Sequence, residues 1–275
     1  MNILIISLTS ATQRRKFQQE QLAKLNLNFE FLAATSANDI NSATYKKHYH
    51  DWQRPLKKTE VACYYSHRHA WDKVIQSNQP ALILEDDALL SKCVPELLKE
   101  FTNKKNTDLI NLENRGRKKF VSRSGKSIAC DSKLLCLYQD RTGAAGYILW
   151  PSGAKKLIQC EKDKGIALAD AHITACNSLK AYQVEPAPII QLDHCAYYGI
   201  NSSANAATSI STVSSHHNAK GTTSFWLKRI YFQIKLGIRQ LLLILKSERR
   251  YISIKVENFY KPMATTSSSK RHKKH

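Results

Sequence analysis

No stretch of this 275-residue chain is long and uncharged enough to span a bilayer. The opening "MNILIISLTSATQRRK" has too short an apolar run for a signal peptide. It has no charged region in front and meets Arg14, Arg15 and Lys16 at once, so no cleaved leader is expected. The seven cysteines, at 63, 93, 130, 136, 160, 176 and 195, are odd in number and form no CxxC pair. They are read as reduced thiols of a cytosolic protein, mostly core filler, which excludes a disulfide framework. Internal repeats are absent, and so is any aromatic–basic stacking motif of the recognised nucleic-acid-binding kinds. Negative charge is scarce: 22 acidic residues face 42 basic ones, for a formal net charge of +20. Such a chain favours polyanions: nucleic acid, anionic membrane or phosphorylated substrates. The shortage is greatest after residue 193, where 14 Lys and Arg stand against only Glu248 and Glu257.

What is present is a core of ordinary size, with 43% apolar residues, patterned as alternating strands and helices. "ILIISL" (3–8) reads as a buried strand, 12–25 as a helix and "FEFLAAT" (29–35) as a second strand. Residues 38–56 are polar and irregular. A helix follows over 58–77, then the strand "ALILED", a helical stretch over 94–101 and the strand "DLINLE" (108–113). "RGRKKFVSRSGKS" reads as a basic loop, "KLLCLYQ" and "GAAGYILW" as strands. Pro151 opens a further helix, as proline does in a first turn. This alternation predicts an α/β fold with a mainly parallel central sheet. Ligands of such sheets bind beyond the carboxyl ends of the strands.

At one such end, in "PALILEDDALL", stand three consecutive carboxylates: Glu85, Asp86 and Asp87. They repel one another, and beside a buried strand they also lose hydration unless something pairs with them. One reading is a solvated turn. The other is a site for Mg²⁺ or Mn²⁺, which bind through one or two carboxylates plus substrate phosphates.

The stretch "TEVACYYSHRHAWDKVIQSNQPALILEDDALL" resembles the core signature of glycosyltransferase family 25, the lipooligosaccharide biosynthesis group. That signature runs G-E-I-G-C-x-x-S-H, then A-L-I-L-E-D-D. Glu60, Cys63, Ser66, His67 and Glu85 to Asp87 match, while Thr59 and Ala62 replace the two glycines. Further blocks resemble the family in order: the opening 3–35, "TGAAGYILWPSGAKKLI", "ALADAHIT" where the family carries P-x-D, and "PAPIIQLDHCAYYGINSS". The resemblance implies a GT-A-like nucleotide-sugar-binding fold over residues 1–205, a UDP-sugar donor, inversion at the anomeric carbon and a divalent cation, usually Mn²⁺.

Carried over residue by residue, the resemblance implies Glu85 and Asp87 as metal ligands; apart from it, His194 and Asp193 are candidate additional ligands near the end of the catalytic domain, against the commoner reading of a lone histidine as structural. Ser7, Leu8, Arg14, Arg15, Ala33, Ser66, His67 and Asp86 are implied at the donor. Asp170 is implied as the general base, with His172 as the alternative. For Ser66 and His67 a helix-capping network or a satisfied core histidine is the competing reading. Arg14 and Arg15 compete with an exposed helix face, and His69 and Trp71 are read as packing. The expected reaction moves a hexose, galactose before glucose, to a lipooligosaccharide core, with the chain peripheral on the cytoplasmic face of the inner membrane. A metal-dependent phosphoesterase and a nucleic-acid-binding protein are the competing classes.

Beyond residue 205 the expected order is a linker over 206–224, a basic amphipathic helical segment over 225–260 and a disordered basic tail over 261–275. In "FWLKRIYFQIKLGIRQLLLILK", Lys228, Lys235, Arg239 and Lys246 fall on one narrow helical face. Apolar bulk with a cationic stripe suits the interface of an anionic bilayer. The competing expectation is a helix packed on the core with its charged side in water.

Overall fold

The computed structural model describes residues 1–200 and 223–259. The expected tail over 261–275, and the expected linker up to residue 222, lie outside the described residues. Thr223 and Ser224, assigned to that linker, already belong to a helix.

The apolar run at the start becomes β1 (Asn2–Ser7). It lacks polar alternation because both its faces are covered. Leu4 and Ile6 enter one core and Ile3 and Ile5 the other. β2 is Glu30–Ala33, and β3 (Ala81–Glu85) repeats the two-faced burial of β1, with Ile83 on one side and Leu82 and Leu84 on the other. The remaining strands are β4 (Ala88–Leu90), β5 (Leu109–Asn111), β6 (Lys119–Ser122), β7 (Lys126–Ile128), β8 (Ser132–Gln139), β9 (Gly146–Leu149), β10 (Ala181–Glu185), β11 (Ile189–Gln191) and β12 (Ser247–Arg250). The helices are α1 (Thr12–Lys24), α2 (Ser42–His48), α3 (Lys58–Ser77), α4 (Val94–Phe101), α5 (Pro151–Lys164), α6 (Ala169–Ala175) and α7 (Thr223–Leu243). Helices α3, α5 and α6 cover one face of the sheet; α1 and α4 cover the other.

The central sheet has ten strands in the order β12-β6-β8-β10-β5-β9-β3-β1-β2, with β7 added on β8. β1 is parallel to β2 and β3, and β5 is parallel to β10. β9 lies between β3 and β5, antiparallel to both, so β2, β1, β3, β5 and β10 all point the same way. Their carboxyl ends share one edge, where Ser7, Ala33, Glu85 and Asn111 close their strands. A second ribbon pairs β4, just after β3, with β11, and Ile189 of β11 bridges Glu113 just beyond β5.

Three stretches differ from the sequence expectation. The irregular region contains α2, begun by Asn41, whose Oδ1 accepts from Thr44 N at 2.8 Å. The basic loop contains β6, because Lys119, Phe120 and Val121 are buried against β8. The segment expected to be helical to residue 260 leaves the helix at Leu243. Residues 247–250 then pair antiparallel with β6 as β12, and so cover its open edge.

Candidate active site

The turn after β3 is held from below by α1. Gln18 Nε2 donates to the carbonyls of Asp86 (3.0 Å) and Ala88 (2.9 Å). Gln21 pairs with both Ala88 O and Leu90 N, at 2.9 and 2.8 Å. Two buried glutamines thus act as surrogate backbone for the acidic turn. Asp86 is locked into the same interface. Its Oδ2 accepts from Ser7 Oγ at 2.8 Å and its Oδ1 from Arg14 Nη1 at 2.9 Å. Ser7, Arg14 and Asp86, all expected at the donor, therefore come together as a clamp on one another.

Glu85 is fixed at both oxygens. Its Oε1 meets His67 Nε2 at 3.2 Å and its Oε2 meets Gln191 Nε2 at 3.5 Å. Behind His67, Nδ1 lies 3.0 Å from Tyr147 OH, which also receives Trp71 Nε1–H at 2.9 Å. The network assigns the tautomer: Trp71 donates to Tyr147, Tyr147 to His67 Nδ1, and Nε2–H to the carboxylate. His67 is thus a buried positioning group for Glu85, and Trp71 feeds the same chain. Ser66 ties α3 to the end of β2, accepting from Thr35 N at 2.8 Å and donating to Ala62 O at 2.9 Å.

Asp87 differs from its two neighbours. Its Oδ1 is buried and has no hydrogen-bond partner. Burial, then the charge of Glu85, pushes its carboxyl well above the usual range, against the pull of Arg14. A second such group, missed in the sequence, is Glu113, just beyond β5. It is fully buried, with Oε2 accepting from Ala145 N at 2.8 Å and Oε1 unpartnered. Burial and Glu85 push it up to about 7. Ala145 joins the two ends, since its carbonyl accepts from Glu85 N at 3.0 Å. Gly143 is required beside it: φ is +93°, and an added Cβ would collide with Glu113 Oε2. Lys119, fully buried and pushed down to about 8 by burial, donates to the main-chain oxygen of Glu113 (3.0 Å) and to Gln183 Oε1 (2.7 Å). The signal for Glu113 was available, because "DLINLE" ends a buried strand in an acid just as "ALILED" does.

Asp170 opens α6, half-buried, with Oδ1 accepting from Ala171 N at 2.7 Å. The Cys63 thiol is pushed up by burial first, then by the charges of Glu85, Asp170 and Asp87. Helix α6 is fixed by buried Arg141, which donates to the carbonyls of Cys176 (2.7 Å) and Leu179 (3.2 Å). His172 lies elsewhere, in the core. It stacks on Trp71 at 5.6 Å, its Nε2 meets Leu157 O at 3.0 Å, and burial pushes its pKa down. Arg15 leaves the edge to lie over the Phe31 ring at 4.0 Å. His194 stands against Gly116, and its neighbour Asp193 is paired with Arg115 at 3.0 Å. Leu8 follows β1 and accepts from Ala11 N at 3.0 Å. Ala33 lines an open cleft of about 460 Å³ with Thr35, Asp39, Thr44, Tyr65 and His69.

Glu85 and Asp87 supply the hard oxygens that Mg²⁺ or Mn²⁺ prefers, and the unpartnered Asp87 Oδ1 is what a cation would satisfy. Among the described residues no three His, Cys, Asp or Glu side chains converge as a ready-made metal cage. The donor set therefore fits a cation held by one or two carboxylates, with the rest of its shell left to a substrate or water.

Residues 1–173 match the profile of glycosyltransferase family 25 (LPS biosynthesis protein). A Haemophilus influenzae protein named "Putative glycosyltransferase" is 32% identical over 170 residues, covering 60% of this chain and 59% of that one. The chain thus matches about three-fifths of that relative's length. The lipooligosaccharide biosynthesis protein lic2B of H. influenzae is 29% identical over 208 residues, covering 68% of this chain and 74% of its own. A solved glycosyltransferase involved in glycosylation of the major capsid of PBCV-1 superposes with a TM-score of 0.37 at 8% identity, over 70% of this chain and 91% of its own.

Proposed function

The chain belongs to glycosyltransferase family 25, and from that membership we propose that it moves a hexose, galactose before glucose, from a UDP-sugar to a lipooligosaccharide core with inversion. One observation carries the reading. At the shared carboxyl edge of five co-directional strands, Asp87 and Glu113 bury unpartnered oxygens near a rigidly held Glu85, and an open cleft adjoins the end of β2.

In this reading the nucleoside enters the cleft lined by Ala33, Thr35 and Tyr65. Its diphosphate lies toward Glu85 and Asp87, the pair that would hold Mn²⁺ or Mg²⁺. When bound, that cation supplies the positive charge that stabilises the leaving diphosphate. Asp170 takes the proton of the acceptor hydroxyl as that oxygen bonds to the anomeric carbon. The bond from this carbon to the phosphate oxygen breaks on the opposite face, and UDP leaves. His67 keeps Glu85 oriented, and the Ser7–Asp86–Arg14 clamp holds the turn.

A donor screen tests the proposal. The purified chain is given UDP-galactose, UDP-glucose and other nucleotide sugars with a lipooligosaccharide core acceptor, with Mn²⁺ or with chelator. Transfer from UDP-galactose that fails under chelation is expected. Preference for UDP-glucose would replace the sugar. Absence of transfer or hydrolysis with every donor would overturn the reading.

A further inference from the structure

Among the described residues, one row of α7 side chains packs on the body. Phe225 is buried, with its ring 5.2 Å from His50 and 6.5 Å from Tyr49. Phe232 lies 5.6 Å from Trp52. Arg239 Nη2 donates to Tyr138 O at 3.0 Å, and just past the helix Ile244 O accepts from Arg123 at 3.3 Å. At about 100° per residue, Phe225, Phe232 and Arg239 lie within about 40° of one another.

Beyond the docked row, which holds Phe225 and Phe232, a second apolar set faces another way. Leu227, Tyr231, Ile234, Ile238, Leu241 and Leu242 occupy a sector about 100° wide, centred about 130° from the docked row. All six are between 56% and 72% exposed. An ordinary surface helix buries its apolar side and wets the rest, whereas α7 buries one apolar row and leaves a second, wider apolar sector exposed. Part of the cationic stripe sits on the docked flank, and the greasy face is turned outward.

The chemistry around that face selects an occupant. No acidic residue occurs between Asp193 and Glu248. Lys235, exposed, borders the apolar sector with its Nζ 5.9 Å from the Tyr231 ring. Lys246, Arg249 and Arg123, all exposed, continue the positive charge where the chain returns to the sheet. No described helix is long and apolar enough to cross a membrane. A wide apolar sector bordered by cations, on a helix too polar to insert across, is the pattern of a segment lying in the headgroup–acyl boundary of an anionic bilayer. We propose that the outward face of α7 docks this protein on an anionic lipid surface. Tyr49 and His50, which hold Phe225, directly follow α2, and α2 supplies Thr44 to the open cleft. The N-terminal end of α7 is therefore seated beside the segment that leaves α2.

The helix cannot be tested by cutting the chain before it. β12 follows in the sheet, and Ile252 and Phe259 are buried, so truncation would strip the fold as well. Full-length protein with point substitutions avoids this. Vesicles of phosphatidylcholine, with and without phosphatidylglycerol, are sedimented with wild type, with Leu227→Ser/Ile234→Ser/Leu241→Ser and with Lys235→Glu/Lys246→Glu. Wild type is expected to pellet with the anionic vesicles at low salt and to be released at high salt. The apolar variant is expected to lose at least about tenfold in partitioning, and the charge variant several-fold. Both should retain the wild-type circular dichroism spectrum, because every substituted residue is exposed; the charge variant remains as the test if the other misfolds. Failure of wild type to pellet, or equal pelleting by all three proteins, would overturn the proposal. So would wild-type self-association without lipid that the apolar variant abolishes, since the face would then join two copies of the chain.

Discussion

The carboxyl edge of the sheet and the outward face of α7 break the same rule in opposite directions. At the edge, acids are buried: Asp87 and Glu113 hold oxygens without partners, and burial and their neighbours raise both carboxyls. On α7, apolar side chains more than half exposed face outward. Either arrangement costs stability in the isolated chain, since burying an unpaired polar atom and wetting a large apolar one are both unfavourable. The support around them differs. The edge is braced by Gln18, Gln21, His67, Tyr147 and Gly143, so its geometry is set before anything binds. Among the described residues, helix α7 packs on the body by one row of contacts and needs no precise geometry, which suits a fluid surface rather than a reacting centre.

That contrast is most exposed to failure at Asp87. Asp87→Asn is expected to reduce turnover on the order of 1000-fold while the melting temperature holds or rises, because one of several crowded negative charges is removed. Steady-state kinetics and a thermal melt are the measurements, and near-normal turnover at saturating Mn²⁺ would end the assignment. Next in size, Asp170→Asn should lower kcat about 100-fold or more with little change in UDP affinity, because a base acting on the acceptor adds little to donor binding. If UDP affinity falls in step with turnover, Asp170 belongs to the donor site instead.

A smaller effect lies in the pH dependence of stability. Glu113 has a folded pKa of about 7, above its ordinary 4.5. Between those values the unfolded state has already released the proton that the folded state keeps, so stability falls as pH rises and levels off above about 7. The loss is up to about 3 kcal/mol by linkage. Asp87 acts in the same direction, so Glu113→Gln should flatten part of the slope in denaturant titrations across this range. Identical slopes in the two proteins would remove Glu113 from the cluster. The smallest effect is expected at Arg15. Arg15→Ala should cost about 0.5–1 kcal/mol of stability through its contact with Phe31 and leave kcat unchanged. A loss of turnover would return it to the donor site.

The adjacent arginines show how far the sequence could be read. Arg14 and Arg15 are equivalent as letters after a strand, yet one grips Asp86 and the other lies on Phe31. The same holds for the acidic trio. Its place at a strand end was legible, since an apolar run stopping in carboxylates has few other locations. Which carboxylate keeps an unpaired oxygen was not, because that depends on Ser7, Arg14, His67 and Gln191 arriving from four other segments. His172 shows the reverse case: it stood as the alternative base to Asp170, and packing with Trp71 and Tyr64 makes it a core group.

By itself the sequence determined the local elements and their chemistry. Doubly buried strands follow from unbroken apolar runs, α3 and α5 from helical periodicity and Pro151, and the cationic, apolar character of α7 from its composition. Only the tertiary structure decided that β9 enters between β3 and β5 and so brings Glu85 and Glu113 to the same alanine. The same holds for β12, which closes the edge of β6, and for α7, which turns its apolar face outward. The physical reason is common to all three. Propensity and periodicity act between residues a few positions apart, whereas sheet order and helix orientation are chosen by contacts between distant segments, and no single segment encodes these.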